Sequence, residues 1–323
     1  MTLSPPVIQH HDAWASLRKP LERALETCGG LGSICELESP AVGVADSPSK
    51  HLIRNRSGEP VAVMLRSQPE APGLVARAVV KASLARKVLG DDLGSVIVPP
   101  MVSGESNGVS FAVYPWRMPL SSSRWLWPLQ RAALRMPLLR WLRRATTATL
   151  GIADANAVPS GFHEPLRAIA SSEVFDQAIR AAAYHAIDRL AAGRWIPRYV
   201  LAHNDLWKGN VLLQPRADHN ARHRRFVLID WAASELGGYA FYDLARLAMS
   251  MQVSGRRLTR ELRAHCSILE CELVDAKGYL LACLGYLGTH LECFPVKHFH
   301  TLVHECCDCV FSVVDALHRD DST

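Results

Sequence analysis

The 323-residue sequence contains no run of about 18 uninterrupted apolar residues, the length that a membrane-spanning helix requires. Its first residues, Met1 to Pro6, lack a basic flank followed by an apolar run, so we expect no signal peptide. Charged residues make up only 21% of the chain, and the formal net charge is +5. These features predict a cytoplasmic protein whose mildly basic surface suits an anionic ligand, such as a nucleotide, or an anionic membrane surface.

A disulfide framework is not expected, although the chain has nine cysteines. Two of them lie early, at Cys28 and Cys35, and the other seven fall between Cys266 and Cys309. A chain of this length can bury a large core without disulfide staples. We therefore expect reduced thiols and a chain divided into two lobes or domains.

The first third of the chain has the pattern of a small sheet with one helix. Residues 33–66 have the composition of three strands, and residues 74–89 repeat apolar side chains at helical spacing. Two further strands are predicted at 96–100 and 110–114. We predict an α+β, bilobal fold with three parts: an N-terminal helical extension (1–32), a sheet lobe (33–116) and a larger, mainly helical lobe (117–323).

The larger lobe contains the segment that carries chemistry. His203, Asp205 and Asn210 follow a short apolar strand, and Asp230 follows the strand that begins at Phe226. Phosphoryl transfer from ATP needs a carboxylate that accepts the proton of the acceptor hydroxyl, and oxygen ligands for the Mg²⁺ that bridges the phosphates. An Asp, an Asn five residues later and a second Asp on a following strand supply these groups in protein kinases. The sequence therefore predicts a phosphotransferase site.

These residues, together with the Gly238–Arg246 segment that contains Asp243-Leu-Ala, resemble the aminoglycoside phosphotransferase and choline kinase-like superfamily. The resemblance is close over about residues 198–248 and looser over about 33–310, and it implies a protein-kinase-like fold. It implies that Asp205 is the catalytic base, that Asn210 and Asp230 bind Mg²⁺, and that His203 acts in the catalytic loop, which it braces together with Asp243. ATP and Mg²⁺ are the implied cofactors, and the implied acceptor is a hydroxyl of a small molecule, sugar or glycolipid.

The nucleotide-binding lobe matches this pattern less well. Aligning Val61–Met64 with the kinase Val-Ala-Ile-Lys pattern puts Met64 where the phosphate-binding lysine belongs. Arg66 projects from the same strand face and is one candidate for the missing charge, while Lys81 on the following helix is the other. Trp116 ends the segment expected to form the hinge strand, whose backbone meets adenine. The loop from Ser39 to Lys50 lacks a Gly-x-Gly-x-x-Gly sequence.

Residues 124–144 contain six arginines, interleaved with Trp125, Trp127, Leu138 and Trp141, and no acidic residue. This composition is typical of a peripheral membrane contact at the inner face of a membrane, or of an inter-lobe helix with solvated arginines. Pro128 and Pro137 predict two short helices there rather than one. We expect no nucleic-acid partner, and the basic segment favours an anionic or lipid-linked acceptor.

A second function class stays open at this point. A pseudokinase that serves as a nucleotide-binding or protein-interaction module would explain Met64 at the lysine position. The intact set of Asp205, Asn210 and Asp230 favours the enzyme, because a chain without catalysis has no chemical need for all three.

Overall fold

A computed structural model describes residues 15–38, 47–152, 156–214, 225–291 and 294–320. The glycine-poor loop around Gly43 therefore lies outside the described residues. The N-terminal sheet has five antiparallel strands in the order β1-β2-β3-β5-β4. Its strands are β1 (Ser33–Glu38), β2 (Ser49–Arg54), β3 (Pro60–Arg66), β4 (Val102–Ser106) and β5 (Val109–Pro115). Two helices accompany the sheet, α1 (Ala15–Leu25) and α2 (Leu74–Leu93).

The strand predicted at 96–100 is wrong. Gly94–Val96 forms a 3₁₀ turn, and Ile97 makes a single parallel bridge to Leu228 of the larger lobe. Pro99 and Pro100 have no N–H group to donate to a ladder, so the pairing with β5 begins only at Val102. The segment that looked like a strand is instead one of the connections between the two lobes.

The two faces of the sheet have different partners. Side chains on a strand alternate between faces, so Ala62 and Met64 of β3 share one face, and both pack in a core cluster with Leu17, Leu21 and Leu25 of α1. Met64 is fully buried there. We call this side of the sheet the α1 face.

The opposite side carries α2 and is directed toward the larger lobe. Val63 and Leu65 of β3 lie across from Tyr114 and Ala112 of β5. Ser110 has the same parity on β5, and its Oγ accepts a hydrogen bond from the backbone N–H of Ala76 in α2 at 3.1 Å. We call this side the cleft face, because Tyr114 lies within electrostatic reach of Asp230.

The larger lobe is mainly helical. Two three-stranded antiparallel sheets, in the orders β10-β9-β6 and β11-β8-β7, form the platform on which its loops sit. Their strands are β6 (Met118–Pro119), β7 (Gly151–Ile152), β8 (Arg198–Ala202), β9 (Val211–Leu213), β10 (Phe226–Leu228) and β11 (Glu235–Gly238). The helices are α3 (Leu126–Ala148), α4 (Glu164–Ser171), α5 (Gln177–Ala191), α6 (Tyr242–Ser250), α7 (Gly255–Leu269), α8 (Asp275–Thr289) and α9 (Val296–Asp320).

The basic segment 124–144 forms one helix, so the prediction of two short pieces is wrong. Pro128 lies in the first turn of α3, where a backbone N–H has no helical partner to lose, and Pro137 is accommodated inside the helix. Leu138, Leu139 and Trp141 are buried in the core of the larger lobe. The apolar residues in the C-terminal part of the segment are therefore used for packing, whereas Trp125, Leu126 and Leu129 at its N-terminal end are exposed. No helix in the described ranges is long and apolar enough to cross a membrane.

The start of α5 determines which side of this helix is buried. Val174 and Ala178 are exposed, while Ile179, Ala183 and Ala186 are buried. Asp176 begins the helix by accepting a hydrogen bond from the backbone N–H of Ile179 at 2.8 Å. This N-cap fixes the start of the helix, and the buried stripe follows from that start.

The face assignment of β3 predicts the effect of a lysine at position 64. Met64→Lys should lower the free energy of unfolding by about 3–5 kcal/mol, because it places an unpartnered charge in the apolar contact with α1. Met64→Leu is the matched control and should cost less than about 1.5 kcal/mol. Urea denaturation of both variants measures the difference. A Met64→Lys protein as stable as the wild type would show that Met64 faces the cleft instead.

Candidate active site

Asp205 lies at the centre of the loop that follows β8. Its Oδ2 accepts a hydrogen bond from Nδ2 of Asn210 at 2.8 Å, and its Oδ1 accepts one from Nη2 of Arg246 at 2.9 Å. Asn210 Nδ2 also donates to the backbone oxygen of Asp205 at 2.8 Å. Each carboxylate oxygen thus has one protein donor, and a carboxylate oxygen can accept two. The side chain is held in place while keeping room for another donor.

Asn210 also fixes the position of Asp230. The backbone oxygen of Asn210 accepts a hydrogen bond from the N–H of Ile229 at 3.0 Å, which ties the catalytic loop to the residue before Asp230. Asp230 itself has a positive φ of 63°, a conformation that is uncommon outside glycine, asparagine and aspartate. Burial and the charge of Asp230 raise the pKa of Tyr114 to about 12. Asp230 therefore lies at the boundary between the two lobes.

A buried brace supports this loop from below. The backbone N–H of His203 donates to Oδ2 of Asp243 at 2.6 Å, and Nε2 of His203 lies 3.0 Å from the backbone oxygen of Ile229. A carbonyl oxygen can only accept, so Nε2 carries the proton. The ring of His203 also packs on Trp231, with 4.5 Å between the ring centroids. This geometry places His203 between the two strand ends and supports a bracing role.

The ionisation of the brace follows from its burial. Burial lowers the pKa of His203 below its usual range, although the carboxylates of Asp243 and Asp205 act in the opposite direction. Burial likewise raises the pKa of Asp243, and the nearby His203 opposes that shift. The imidazole is therefore neutral at pH 7, which suits a hydrogen-bonding strut better than a proton donor.

The donor set suits a hard divalent cation. Asn210 uses its Nδ2 group for Asp205, so its Oδ1 oxygen is the atom that it can offer to a metal. Asp230 adds a carboxylate at the same loop junction. A carboxylate and an amide oxygen, completed by substrate phosphates and water, are the ligands that Mg²⁺ prefers. The described residues contain no cluster of three or more His, Cys, Asp or Glu side chains that could hold a metal by themselves.

The strand register does not bring Arg66 to the cleft face. Arg66 lies opposite Phe111 of β5, and Phe111 belongs to the core cluster that α1 covers. His51 of β2 faces Met64 on the same side, and its pKa is lowered by burial and, to a smaller extent, by the charge of Arg66. Arg66 therefore shares the α1 face with Met64, and its predicted contact with ATP phosphates is not supported by this geometry.

A different basic residue lies on the cleft face. Lys50 of β2 is paired with Leu65 of β3, and directly opposed residues in an antiparallel pair project to the same side. Leu65 has the same parity as Val63, which faces Tyr114. The ladder between β2 and β3 is regular from Ser49 to Ile53, so no bulge changes the facing of Lys50. The cleft face of the sheet thus carries a lysine on β2, one strand away from the position predicted on β3.

Lys81 and Trp116 have partners within the protein. The Nζ of Lys81 lies 3.0 Å from Oε1 of Glu235, which joins α2 to β11 across the lobes. The backbone N–H of Trp116 donates to the oxygen of Val61 at 2.9 Å. Its backbone oxygen accepts a hydrogen bond from Nη1 of Arg117 at 3.0 Å. Their proposed roles in nucleotide binding stay predictions.

Comparison with known proteins addresses the fold as a whole. No protein-family model and no curated protein matches the chain. Among solved structures, an inferred fructosamine-3-kinase from Haemophilus somnus 129PT matches with a TM-score of 0.51 at 12% identity, and the match covers 92% of this chain and 98% of that one. The chain has a kinase-like fold.

Two further structures match over similar lengths. The choline kinase LicA from Streptococcus pneumoniae is 14% identical with a TM-score of 0.45, covering 91% of this chain and 100% of that one, and another structure of LicA is a complex with AMP. An aminoglycoside-3'-phosphotransferase of type VIII is 17% identical with a TM-score of 0.44, covering 90% and 98%. The predicted α+β, kinase-like fold class is confirmed by the match with a TM-score of 0.51.

Two residues of the kinase-like site were not assigned a role from the sequence. Arg246 lies three residues after Asp243, so both are on the same side of α6, and that spacing was the available signal. Lys50 could be found only by fixing the register between β2 and β3, because nothing in its local sequence distinguishes a cleft-facing lysine from a solvated one.

Proposed function

We propose that this protein transfers the γ-phosphoryl group of ATP, with Mg²⁺, to a hydroxyl group of a small molecule, sugar or glycolipid. The observation that carries the proposal is the position of Asn210. Its side chain donates a hydrogen bond to the carboxylate of Asp205, and its backbone oxygen accepts one from the N–H of Ile229, the residue before Asp230. One asparagine thus joins the proposed base to the proposed metal ligand. The kinase-like fold supports the same reaction class.

Asp205 would act as the general base. The acceptor hydroxyl gives its proton to the carboxylate as its oxygen attacks the γ-phosphorus, and the bond from that phosphorus to the β-phosphate oxygen breaks to release ADP. Arg246 and Asn210 hold one carboxylate oxygen each, so the base keeps a fixed direction without spending rotamer entropy at the moment of reaction. Asn210 and Asp230 would hold the Mg²⁺, which when bound neutralises the developing charge on the phosphates.

Lys50, rather than Arg66, is our candidate for the cation of the sheet lobe. The support is its position on the cleft face, directly across from Leu65. An ammonium group on a flexible stem can bind phosphate oxygens as a point charge. The backbone of Trp116 would contact the adenine of the nucleotide. The Arg117 side chain, which donates a hydrogen bond to the backbone oxygen of Trp116, would then have to move away from that oxygen.

Asp205→Asn should lower the rate of phosphotransfer by at least about a hundredfold, the usual effect of losing a positioned general base. The amide keeps the shape of the side chain, so the affinity for Mg·ATP should stay close to that of the wild type. ADP release with a panel of alcohols gives the rate, and calorimetry gives the affinity. Asp188→Asn, at an exposed position on α5, is the matched control. Comparable turnover in Asp205→Asn would remove Asp205 from the mechanism.

Asp230→Ala should abolish the Mg²⁺-dependent part of ATP binding, because a carboxylate ligand of the metal is lost. Calorimetric titrations with an ATP analogue, with and without Mg²⁺, measure that part directly. Asp188→Ala should bind like the wild type. Equal Mg²⁺ dependence in Asp230→Ala and the wild type would place the metal elsewhere.

Lys50 lies on the cleft face and Arg66 on the α1 face, so we predict that replacing them has different effects on nucleotide affinity. Lys50→Ala should weaken binding of the Mg²⁺ complex of an ATP analogue by about ten- to a hundredfold, the range for losing a charge-assisted contact. Arg66→Ala is the matched control from the α1 face and should change affinity less than about twofold. Lys81→Ala tests the competing candidate.

The outcomes of this comparison separate the alternatives. A loss in Arg66→Ala or Lys81→Ala that is absent in Lys50→Ala would refute the assignment of Lys50. If the wild-type protein binds the nucleotide but transfers phosphate neither to an acceptor nor to water, the result favours the pseudokinase. Wild-type protein that binds no nucleotide would favour the protein-interaction module.

A further inference from the structure

Three arginines lie where α3 packs on α7. Arg131 and Arg135 lie one turn apart on α3, and Arg257 lies in the first turn of α7. All three are half-buried. Arg143 of α3 pairs with Glu261 of α7 at 3.1 Å, so the two helices are in contact here, and burial, followed by the charges of Arg257 and Arg131, lowers the pKa of Arg135. We call Arg131, Arg135 and Arg257 the arginine cluster.

No acidic side chain in the described part of the chain forms a salt bridge with this cluster, whereas its neighbours on α3 have such partners. Arg143 pairs with Glu261 at 3.1 Å, and Arg144 pairs with Asp92. The Nε atoms of Arg135, Arg257 and Arg143 are all buried without a well-aligned hydrogen bond among the described residues, but only Arg143 has a carboxylate beside it. The cluster therefore combines like charges, partial desolvation and unused donors, which together are unfavourable unless an anion is bound.

The end of α7 adds to this positive potential. The first turn of a helix carries the partial positive charge of its exposed N–H groups, and arginines there are unfavourably placed. Arg256 and Arg257 occupy this turn, and the side chain of Ser254 before them makes no capping hydrogen bond. An anion beside Arg257 would relieve both contributions.

The side of α3 that carries Arg131 and Arg135 also contacts the loop that contains Asp205. Trp127, Arg131 and Arg135 follow one another at intervals of four residues, so they lie along one side of α3. The Nζ of Lys208 is 5.1 Å from the ring centroid of Trp127, and Lys208 is three residues after Asp205. Its backbone N–H donates to Oγ of Ser250 at 3.1 Å, at the end of α6 just before α7. Lys208 thus connects the loop of the proposed base with α3, which carries two of the three arginines, and with the end of α6, just before α7.

We propose that the arginine cluster binds a phosphate group carried by the acceptor, so that the alcohol to be phosphorylated already contains a phosphate. The part of this inference that concerns the acceptor rests on the proposed phosphotransferase function. The ligand chemistry is a phosphate monoester or diester next to a free hydroxyl, in a soluble sugar or polyol phosphate or in a phospholipid headgroup. Guanidinium groups suit it, because their planar forks bind two phosphate oxygens at once.

Binding of inorganic phosphate tests the anion site without any catalysis. The full chain, at constant ionic strength in sodium chloride, is titrated with phosphate and followed by calorimetry and thermal melting. The Arg135→Gln/Arg257→Gln double variant should lose about ten- to a hundredfold in phosphate affinity, the range for charge-assisted contacts. Arg140→Gln, an exposed arginine on the same helix, is the matched control and should bind like the wild type.

The same titration guards against a folding defect. Without phosphate, the double variant should melt at the wild-type temperature or above it, because two mutually repelling charges are gone. Phosphate affinity that is equal in the wild type and the double variant overturns the anion site, since the ion would then bind elsewhere, such as the nucleotide cleft. Wild-type protein that binds no phosphate overturns it as well.

Turnover then distinguishes the sources of the phosphate. Glycerol is compared with glycerol 3-phosphate as the soluble pair, and phosphatidylcholine vesicles with phosphatidylglycerol vesicles as the lipid pair. We expect transfer only to a phosphorylated acceptor with a free hydroxyl, and in the double variant a KM raised about tenfold or more with kcat nearly unchanged. Equal use of glycerol and glycerol 3-phosphate, or an unchanged KM, overturns the acceptor assignment. Phosphate binding at the cluster without any transfer refutes the proposed function and the acceptor assignment together, and leaves the anion site standing.

Discussion

The buried carboxylate of Asp243 anchors the catalytic loop, and the arrangement of the site depends on it. It accepts the backbone N–H of His203 at 2.6 Å, and His203 in turn reaches the backbone of Ile229, next to Asp230. The first turn of α6 is thereby connected to the end of β8, which precedes Asp205, and to the end of β10, which precedes Asp230. Because Arg246 is on the same helix, α6 also supplies the donor that fixes Asp205. Removing a buried acceptor leaves donors without partners, which is why such a brace transmits any disturbance to the whole loop.

Local spacing explains why the catalytic loop could be predicted from the sequence. Asp205 and Asn210 are five residues apart and interact directly, so their relation is contained in one short segment. The kinase-like order of strands and helices could be predicted for the same reason, because each element has its own periodicity. The strand at 96–100 was misplaced since apolar composition alone does not reveal that Pro99 and Pro100 cannot join a ladder.

The parts that could not be predicted depend on contacts between distant segments. The facing of Met64 and Arg66 is decided by which side of the sheet α1 covers, and a shift by one residue exchanges the two faces of a strand completely. Arg246, which donates a hydrogen bond to Asp205, belongs to α6, and Arg257, whose charge acts on Arg135, belongs to α7. No local sequence pattern predicts these two contacts. The basic composition of α3 suggested a membrane, but six of its 23 residues belong to the core, and Arg143 and Arg144 form salt bridges with Glu261 and Asp92.

The salt bridge between Lys81 and Glu235 joins the two lobes at a point where both partners are in contact with water. Their side chains are 35% and 45% exposed, so dissolved ions can approach the pair and screen it. The Ile97 bridge to Leu228, by contrast, is formed by backbone groups of two buried residues and is insensitive to salt. A buried hydrogen bond from Nε1 of Trp141 to the backbone oxygen of Leu93 and an exposed salt bridge between Arg144 and Asp92 also join α2 to α3. The two lobes are thus joined by contacts of both kinds, and added salt weakens only the exposed ion pairs among them.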